Sequence, residues 1–341
     1  MKKILLTAFQ LAVTIALLFW VFHDPHQRGQ MGAALRTADY RWIGAAMLAY
    51  LTVEVAAAIR WQILLRVQQI HLSLPRLSGL FLIGMFYNQF LPGGTGGDII
   101  KSYLLLKETH RKAGALLAVV FDRLIGLVAL VTITVTLISL RFDLLSRTPD
   151  TRHLLWVLLF LLGTSISALI ASFVISGFKL FHYLPDKFLG REKLIEISAA
   201  YHLYAHHWFA SLMAFGASLV AHLATFTTFL CVAYAFHAGV GVVDFFAVLP
   251  VERTITAVPI SFAGVGLREQ ILQVMLSNLC NVPVAVAKLI GTMSFLVMIV
   301  CSVPGGIVYF FYRPSGVTER VHLRDMQREV ATVEHELSET E

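Results

Sequence analysis

Charge is scarce in this chain. Asp, Glu, Lys and Arg make up 14% of the 341 residues, against roughly 25% in a soluble globular protein, which is too little to cover a water-facing surface. Cysteine is scarcer still. Cys231, Cys280 and Cys301 all lie in or beside apolar segments, with no CxxC or zinc-ligand spacing, so neither a disulfide framework nor a zinc ribbon is encoded. No GxxxxGK[ST] string occurs, which argues against a nucleotide P-loop. The formal net charge is +6, but the basic residues fall between apolar stretches rather than in one patch. That distribution speaks for membrane orientation and against a nucleic-acid partner.

What the chain has in abundance is apolar length. Apolar residues make up 57% and the mean hydropathy is +0.73. Several stretches reach the roughly 20 residues a helix needs to cross about 30 Å of hydrocarbon. The sequence therefore predicts an all-α polytopic integral membrane protein with about six transmembrane helices. The first, about 4–22, follows Lys2 and Lys3 and is read as a retained helix, because no small-x-small cleavage site follows Phe22. The others are expected at about 42–59 (ending at Arg60 and Trp61), 114–140 (ending at Arg141), 154–178, 209–236 and 284–312.

Two further apolar segments do not read as crossings. Residues 77–91 break at Leu91-Pro92-Gly93-Gly94-Thr95-Gly96-Gly97-Asp98, and residues 243–258 break at Pro259-Ile260-Ser261-Phe262-Ala263-Gly264-Val265-Gly266. Each half is too short to span, so each pair predicts a re-entrant helical hairpin, buried in protein or facing water because lipid cannot satisfy irregular backbone. With this topology, Lys2, Lys3, Arg66, Lys107, Arg111 and Lys112 fall on one side. Counted over all loops, that side carries the basic excess and is read as cytoplasmic. Both termini are then cytoplasmic. The units 42–140 and 209–312 have the same order of elements in opposite orientation, an inverted repeat of the kind that places a transporter's site near the membrane midplane. Residues 1–313 are read as one transmembrane domain and 314–341 as a cytoplasmic tail.

At these breaks the chain resembles a known family. The run Asn88-Gln89-Phe90-Leu91-Pro92-Gly93-Gly94-Thr95-Gly96-Gly97-Asp98, with Arg60-Trp61 before it and Pro259 to Glu269 after it, is similar to the flippase-like transmembrane domain of lysylphosphatidylglycerol synthetases, in its stand-alone form. The resemblance extends to about Arg313 and implies movement of an amphipathic lipid between leaflets of a bacterial cytoplasmic (inner) membrane. The lipid would be an anionic phospholipid or a polyprenyl-phosphate-linked one. Lys101 stands where Arg is common in the motif, keeping charge but losing the bidentate fork. Only a short stretch follows Arg313, so the soluble aminoacyl-transfer domain of the bifunctional synthetases, and with it enzyme activity, is expected to be absent. An integral membrane transferase using a lipid-linked substrate, and a non-transporting partner subunit of an envelope-lipid enzyme, remain as alternatives.

Ionisable residues at membrane depth mark a pathway or a paired site. Here they are Glu54, Asp98, Lys101, Asp122, Arg123, Glu252, Arg253, Arg268, Glu269 and Lys288, an even balance of sign. The substrate-binding candidates are Asn88, Pro92, Gly93, Gly94, Gly96, Gly97, Asp98, Lys101, Arg123, Ser261, Gly264, Gly266, Arg268 and Glu269. Arg123 and Arg268 lead as phosphate ligands because guanidinium forks fit phosphate oxygens, and Lys101 comes third. Asp98 has a bland role as a helix-start carboxylate beside a functional one as counter-ion. His202 and His206 share a helix face at metal-compatible spacing, and His207 adjoins them. No third acidic ligand follows, so neither a metal nor another cofactor is expected. Membrane lipid is the expected partner, with a second copy of the chain or an envelope-lipid enzyme left open.

Overall fold

A computed structural model describes residues 23–90, 96–177, 202–257 and 261–312, with a few isolated positions before residue 23. The expected first span, Pro92, Gly93, Gly94 and the tail lie outside the described residues. The helices are α1 (Pro25–Thr37), α2 (Tyr40–Val67), α3 (Leu74–Phe90), α4 (Gly96–Glu108), α5 (Lys112–Leu145), α6 (Pro149–Gly177), α7 (Trp208–Ala235), α8 (Val242–Thr256), α9 (Leu267–Cys280) and α10 (Val284–Phe311). A single 3-10 turn, Phe262–Gly264, precedes α9. Among the described residues there is no strand. Helices α2, α5, α6, α7 and α10 are long and apolar enough to cross a membrane. The four hairpin legs are not: α3, α4, α8 and α9 have 17, 13, 15 and 14 residues, or about 20–26 Å of rise each. The protein is thus an all-helical polytopic membrane protein with two broken hairpins.

The inversion can be followed through contacts at the two ends of the bundle. Helices α2 and α7 pack most extensively on one another and run antiparallel. The Asp39 N–H before α2 donates to the Ala235 carbonyl that ends α7. At the opposite end the Tyr204 hydroxyl, ahead of α7, donates to the Leu64 carbonyl. That same end gathers the feet of the first hairpin, where Arg76 of α3 and Tyr312 beyond α10 both meet Glu108 of α4. Burial, with Glu108 beside it, pushes the Tyr312 phenol up. The second hairpin has its feet at the other end, where Arg141 of α5 pairs with Asp244 of α8 at 2.8 Å. The pairings obey one exchange: α3 packs on α10 as α8 packs on α5, and α2 on α10 as α7 on α5.

Two departures from the sequence reading matter for the site. The second span does not stop at Arg60-Trp61. It continues to Val67, because Arg60 is not an interface anchor but has a buried partner on another helix, and Trp61 is fully buried. Glu54, on the same helix, is 7% exposed. Ahead of α2, α1 was not anticipated. It starts at Asp24, whose carboxylate accepts the His26 N–H at 2.9 Å; that bond holds the exposed carboxyl below the usual carboxylate range.

The apolar core is split in two. Along α2, Ala46 and Tyr50 belong to one cluster and Trp61, Leu64 and Leu65 to the other. Along α5, Ala118 and Phe121 belong to the second cluster and Ile133 and Ile138 to the first. The residues between those sets on each helix are where the polar groups lie.

Candidate functional site

A cavity of 470 Å³ fills the gap between the two cores. Its walls come from α2 (Val53, Ala57, Arg60), α3 (Phe81, Gly84, Met85, Asn88), α4 (Asp98, Lys101), α5 (Asp122 to Leu130), α7 (Ala221, His222, Thr225) and Arg253 of α8. The first hairpin therefore reaches it with both legs, and the second with Arg253 near the end of α8.

The first hairpin closes tightly. A Cβ on Gly97 would overlap the Gly84 carbonyl, and one on Gly84 would lie 3.1 Å from the Gly97 oxygen, so α3 and α4 touch backbone to backbone. The Gly97 N–H, in the first turn of α4, donates to Asn88 Oδ1 at 2.8 Å. Because Asn88 caps that N–H, Asp98 is released for ion pairing: it pairs with Arg123 and lies 3.8 Å from Lys101. Asp122 accepts the Arg60 guanidinium in a fork, at 2.7 and 3.1 Å, and lies 3.7 Å from Lys101. The Lys101 ammonium is held between the rings of Trp61 at 4.4 Å and Phe81 at 4.7 Å. Adjacent Asp122 and Arg123 thus have different partners, as their angular offset on a helix requires. His222 donates through Nε2 to the Gly126 carbonyl at 3.1 Å. Among the described residues Arg253 has no carboxylate partner, only the face of Phe229 at 5.7 Å.

The even balance of charge read from the sequence is not local. The cavity carries Arg60, Lys101, Arg123 and Arg253 against Asp98 and Asp122, and the positive end of α4 adds to that excess. Around the second hairpin Glu252 and Glu269 lie beside Arg268. There Arg268, 3% exposed, does not reach outward to the interface: its Nε donates to Glu252 at 3.3 Å and its Nη2 to the Ala263 carbonyl at 3.1 Å. Glu269 accepts the Gly266 N–H at 2.6 Å, the counterpart of Asn88 on Gly97. Ala263, Gly264 and Gly266 have φ of 51°, 74° and 83°, so only the glycines take this turn without strain.

Of the sequence candidates, Asn88, Asp98, Lys101 and Arg123 line the cavity. Gly97 forms the hairpin contact behind it, and Gly96 opens α4. Ser261, Gly264, Gly266, Arg268 and Glu269 belong to the second hairpin, outside the lining. Arg60, Asp122, His222 and Arg253 were not singled out. Asp122 and Arg253 stood among the intramembrane charges, whereas His222 gave no signal beyond lying in an apolar helix. His202, His206 and His207 are exposed and precede α7, well ahead of its lining residues Ala221, His222 and Thr225.

Arg268→Gln is expected to lower stability by about 3–5 kcal/mol, because it strands the fully buried Glu252. The added Glu252→Gln should recover most of that loss, and headgroup binding should change little. Thermal melting and lipid binding of the single and double variants check this.

Apolar helices of membrane-crossing length, two half-length hairpins and a polar cavity between two cores define an integral membrane protein. The chain belongs to the lysylphosphatidylglycerol synthase TM region family, whose model matches residues 7–307. It is also 28% identical to a UPF0104 membrane protein of Pyrococcus horikoshii over 134 residues. That match spans 38% of each chain.

Proposed function

We propose that this protein is a lipid flippase or scramblase which carries the anionic head of a phospholipid or polyprenyl-phosphate-linked lipid through the cavity while the acyl or prenyl tail stays in the bilayer. The observation that carries the reading is the excess of cations over carboxylates in a cavity at membrane depth. Guanidinium groups are available to phosphate oxygens there, in surroundings where charge-assisted bonds are strong. Arg123, with a side chain 59% exposed, meets the incoming phosphate and exchanges Asp98 for it. Unpaired Arg253 receives it next, from the second hairpin. Lys101, clamped by two rings and shared by two carboxylates, keeps those carboxylates in place. By the distribution of basic residues, the end carrying Lys107, Arg111 and Lys112 faces the cytoplasm of a bacterial inner membrane.

The test is movement of fluorescent phosphatidylglycerol between leaflets of reconstituted vesicles. Arg123→Gln and Arg253→Gln are each expected to slow it by roughly tenfold or more, equivalent to one lost charge-assisted contact of about 1.5–3 kcal/mol, without lowering the melting temperature. Unchanged movement in both variants would place the pathway elsewhere.

A further inference from the structure

We propose that His222 sets the headgroup specificity of the cavity by accepting a hydrogen bond from a hydroxyl of the lipid head. This rests on the reading of the cavity just given and narrows its substrate class to an anionic phosphodiester whose headgroup carries an uncharged alcohol. His222 stands on α7 and lines the cavity. Its Nε2 meets the Gly126 carbonyl at 3.1 Å. A carbonyl oxygen only accepts, so in the neutral ring Nε2 carries the hydrogen and Nδ1 the lone pair. Among the described residues nothing donates to Nδ1, and that nitrogen is not sealed in. It is an acceptor open to whatever enters the cavity.

The other side-chain acceptors of the wall are engaged. Asn88 Oδ1 takes the Gly97 N–H, Asp98 has Arg123 and Asp122 has Arg60. The Thr225 hydroxyl, itself buried, donates to the Ala221 carbonyl. A donor on the headgroup therefore finds its acceptor at His222, and the surrounding charge decides what kind of donor that is. Arg253 and Arg60 both act on the His222 ring, and the cations of the wall outnumber its carboxylates. An ammonium headgroup would meet like charge there, which selects against it, and a choline headgroup has no hydrogen to donate. A hydroxyl brings the donor without the charge, while the phosphate of the same head keeps its guanidinium partners. An anionic head of equal charge that lacks the hydroxyl forgoes this one bond.

The experiment uses the full chain in phosphatidylcholine vesicles at about pH 8, where an ordinary imidazole is neutral. It compares fluorescent phosphatidylglycerol with fluorescent phosphatidylpropanol, which has the same charge and no headgroup hydroxyl. The wild-type protein should move phosphatidylglycerol faster by roughly three- to tenfold, the worth of one hydrogen bond. Two substitutions separate the open acceptor from the bond to Gly126. His222→Asn puts an amide oxygen near the Nδ1 position without reaching Gly126, and should keep the preference. His222→Gln reaches Gly126 through its amide N–H but has no acceptor at the Nδ1 position, and should lose the preference, whatever the absolute rate of either variant. Equal movement of the two lipids by the wild-type protein overturns the proposal while leaving lipid transport intact. So does a preference lost in His222→Asn and kept in His222→Gln, or one kept in His222→Leu, which has neither group. A wild-type protein that moves neither lipid overturns the transport reading instead. Retention of the two lipids by the purified protein, read by native mass spectrometry, then decides this proposal, and equal retention overturns it.

Discussion

Asp122→Asn is expected to be the most damaging charge substitution in the protein. The Asp122 carboxylate, with a side chain 3% exposed, is the shared acceptor for Arg60 and Lys101, so its loss leaves two enclosed cations facing Arg123 and Arg253 with only Asp98 among them. Removing one partner of a buried pair costs about 3–5 kcal/mol, mainly because the other charge stays desolvated. The double variant Arg60→Gln/Asp122→Asn should be milder than Asp122→Asn alone, since it removes a cation together with its acceptor. Thermal unfolding in detergent measures both. A melting temperature unmoved by Asp122→Asn would mean that water reaches these cations freely and that the cluster does not hold α2, α4 and α5 together.

Gly97→Ala should be comparably severe for a different reason. The added methyl would occupy the position of the Gly84 carbonyl, which is backbone and cannot rotate away. The two legs would have to separate, pulling Asn88 off the Gly97 N–H and displacing Asp98 and Lys101 from their partners. The expected outcome is loss of lipid movement with a strongly reduced yield of monodisperse protein on size exclusion. Gly163→Ala, with open space around its Cβ, serves as the control that changes neither. A Gly97→Ala protein that purifies normally and moves lipid at the wild-type rate would show that the hairpin legs need not touch.

The class of fold and both hairpins were legible because they depend on local signals: apolar length, Pro-Gly breaks, and legs too short to span. The partners of the charges were not. Arg60 read as an interface anchor because an Arg-Trp pair after an apolar run looks the same whether the next residues meet water or continue a helix. What decides it is Asp122, 62 residues away. Arg268 read as a phosphate ligand for its guanidinium alone, and nothing local announced that its Nε meets Glu252, sixteen residues before it, and its Nη2 the Ala263 carbonyl. The even count of acids and bases hid the cation excess of the cavity, to which Arg60 contributes, since a sequence gives totals and only packing gives neighbourhoods. Gly305 was likewise silent: its Cα faces the Leu82 carbonyl so closely that a Cβ would overlap it, and nothing along α10 points to α3 as its neighbour.

The aromatic clamp on Lys101 gives the protein an optical property of its own. Trp42, Trp156 and Trp208 are 40–66% exposed, whereas Trp61 is fully buried with an ammonium 4.4 Å from its ring. A cation held against an indole face perturbs the excited state of that ring, and the perturbation changes whenever the cation shifts. Emission from Trp61, shielded from water by its burial, is therefore expected to change when the Lys101 ammonium shifts. Occupancy can be followed in unlabelled protein from a fluorophore already built into α2.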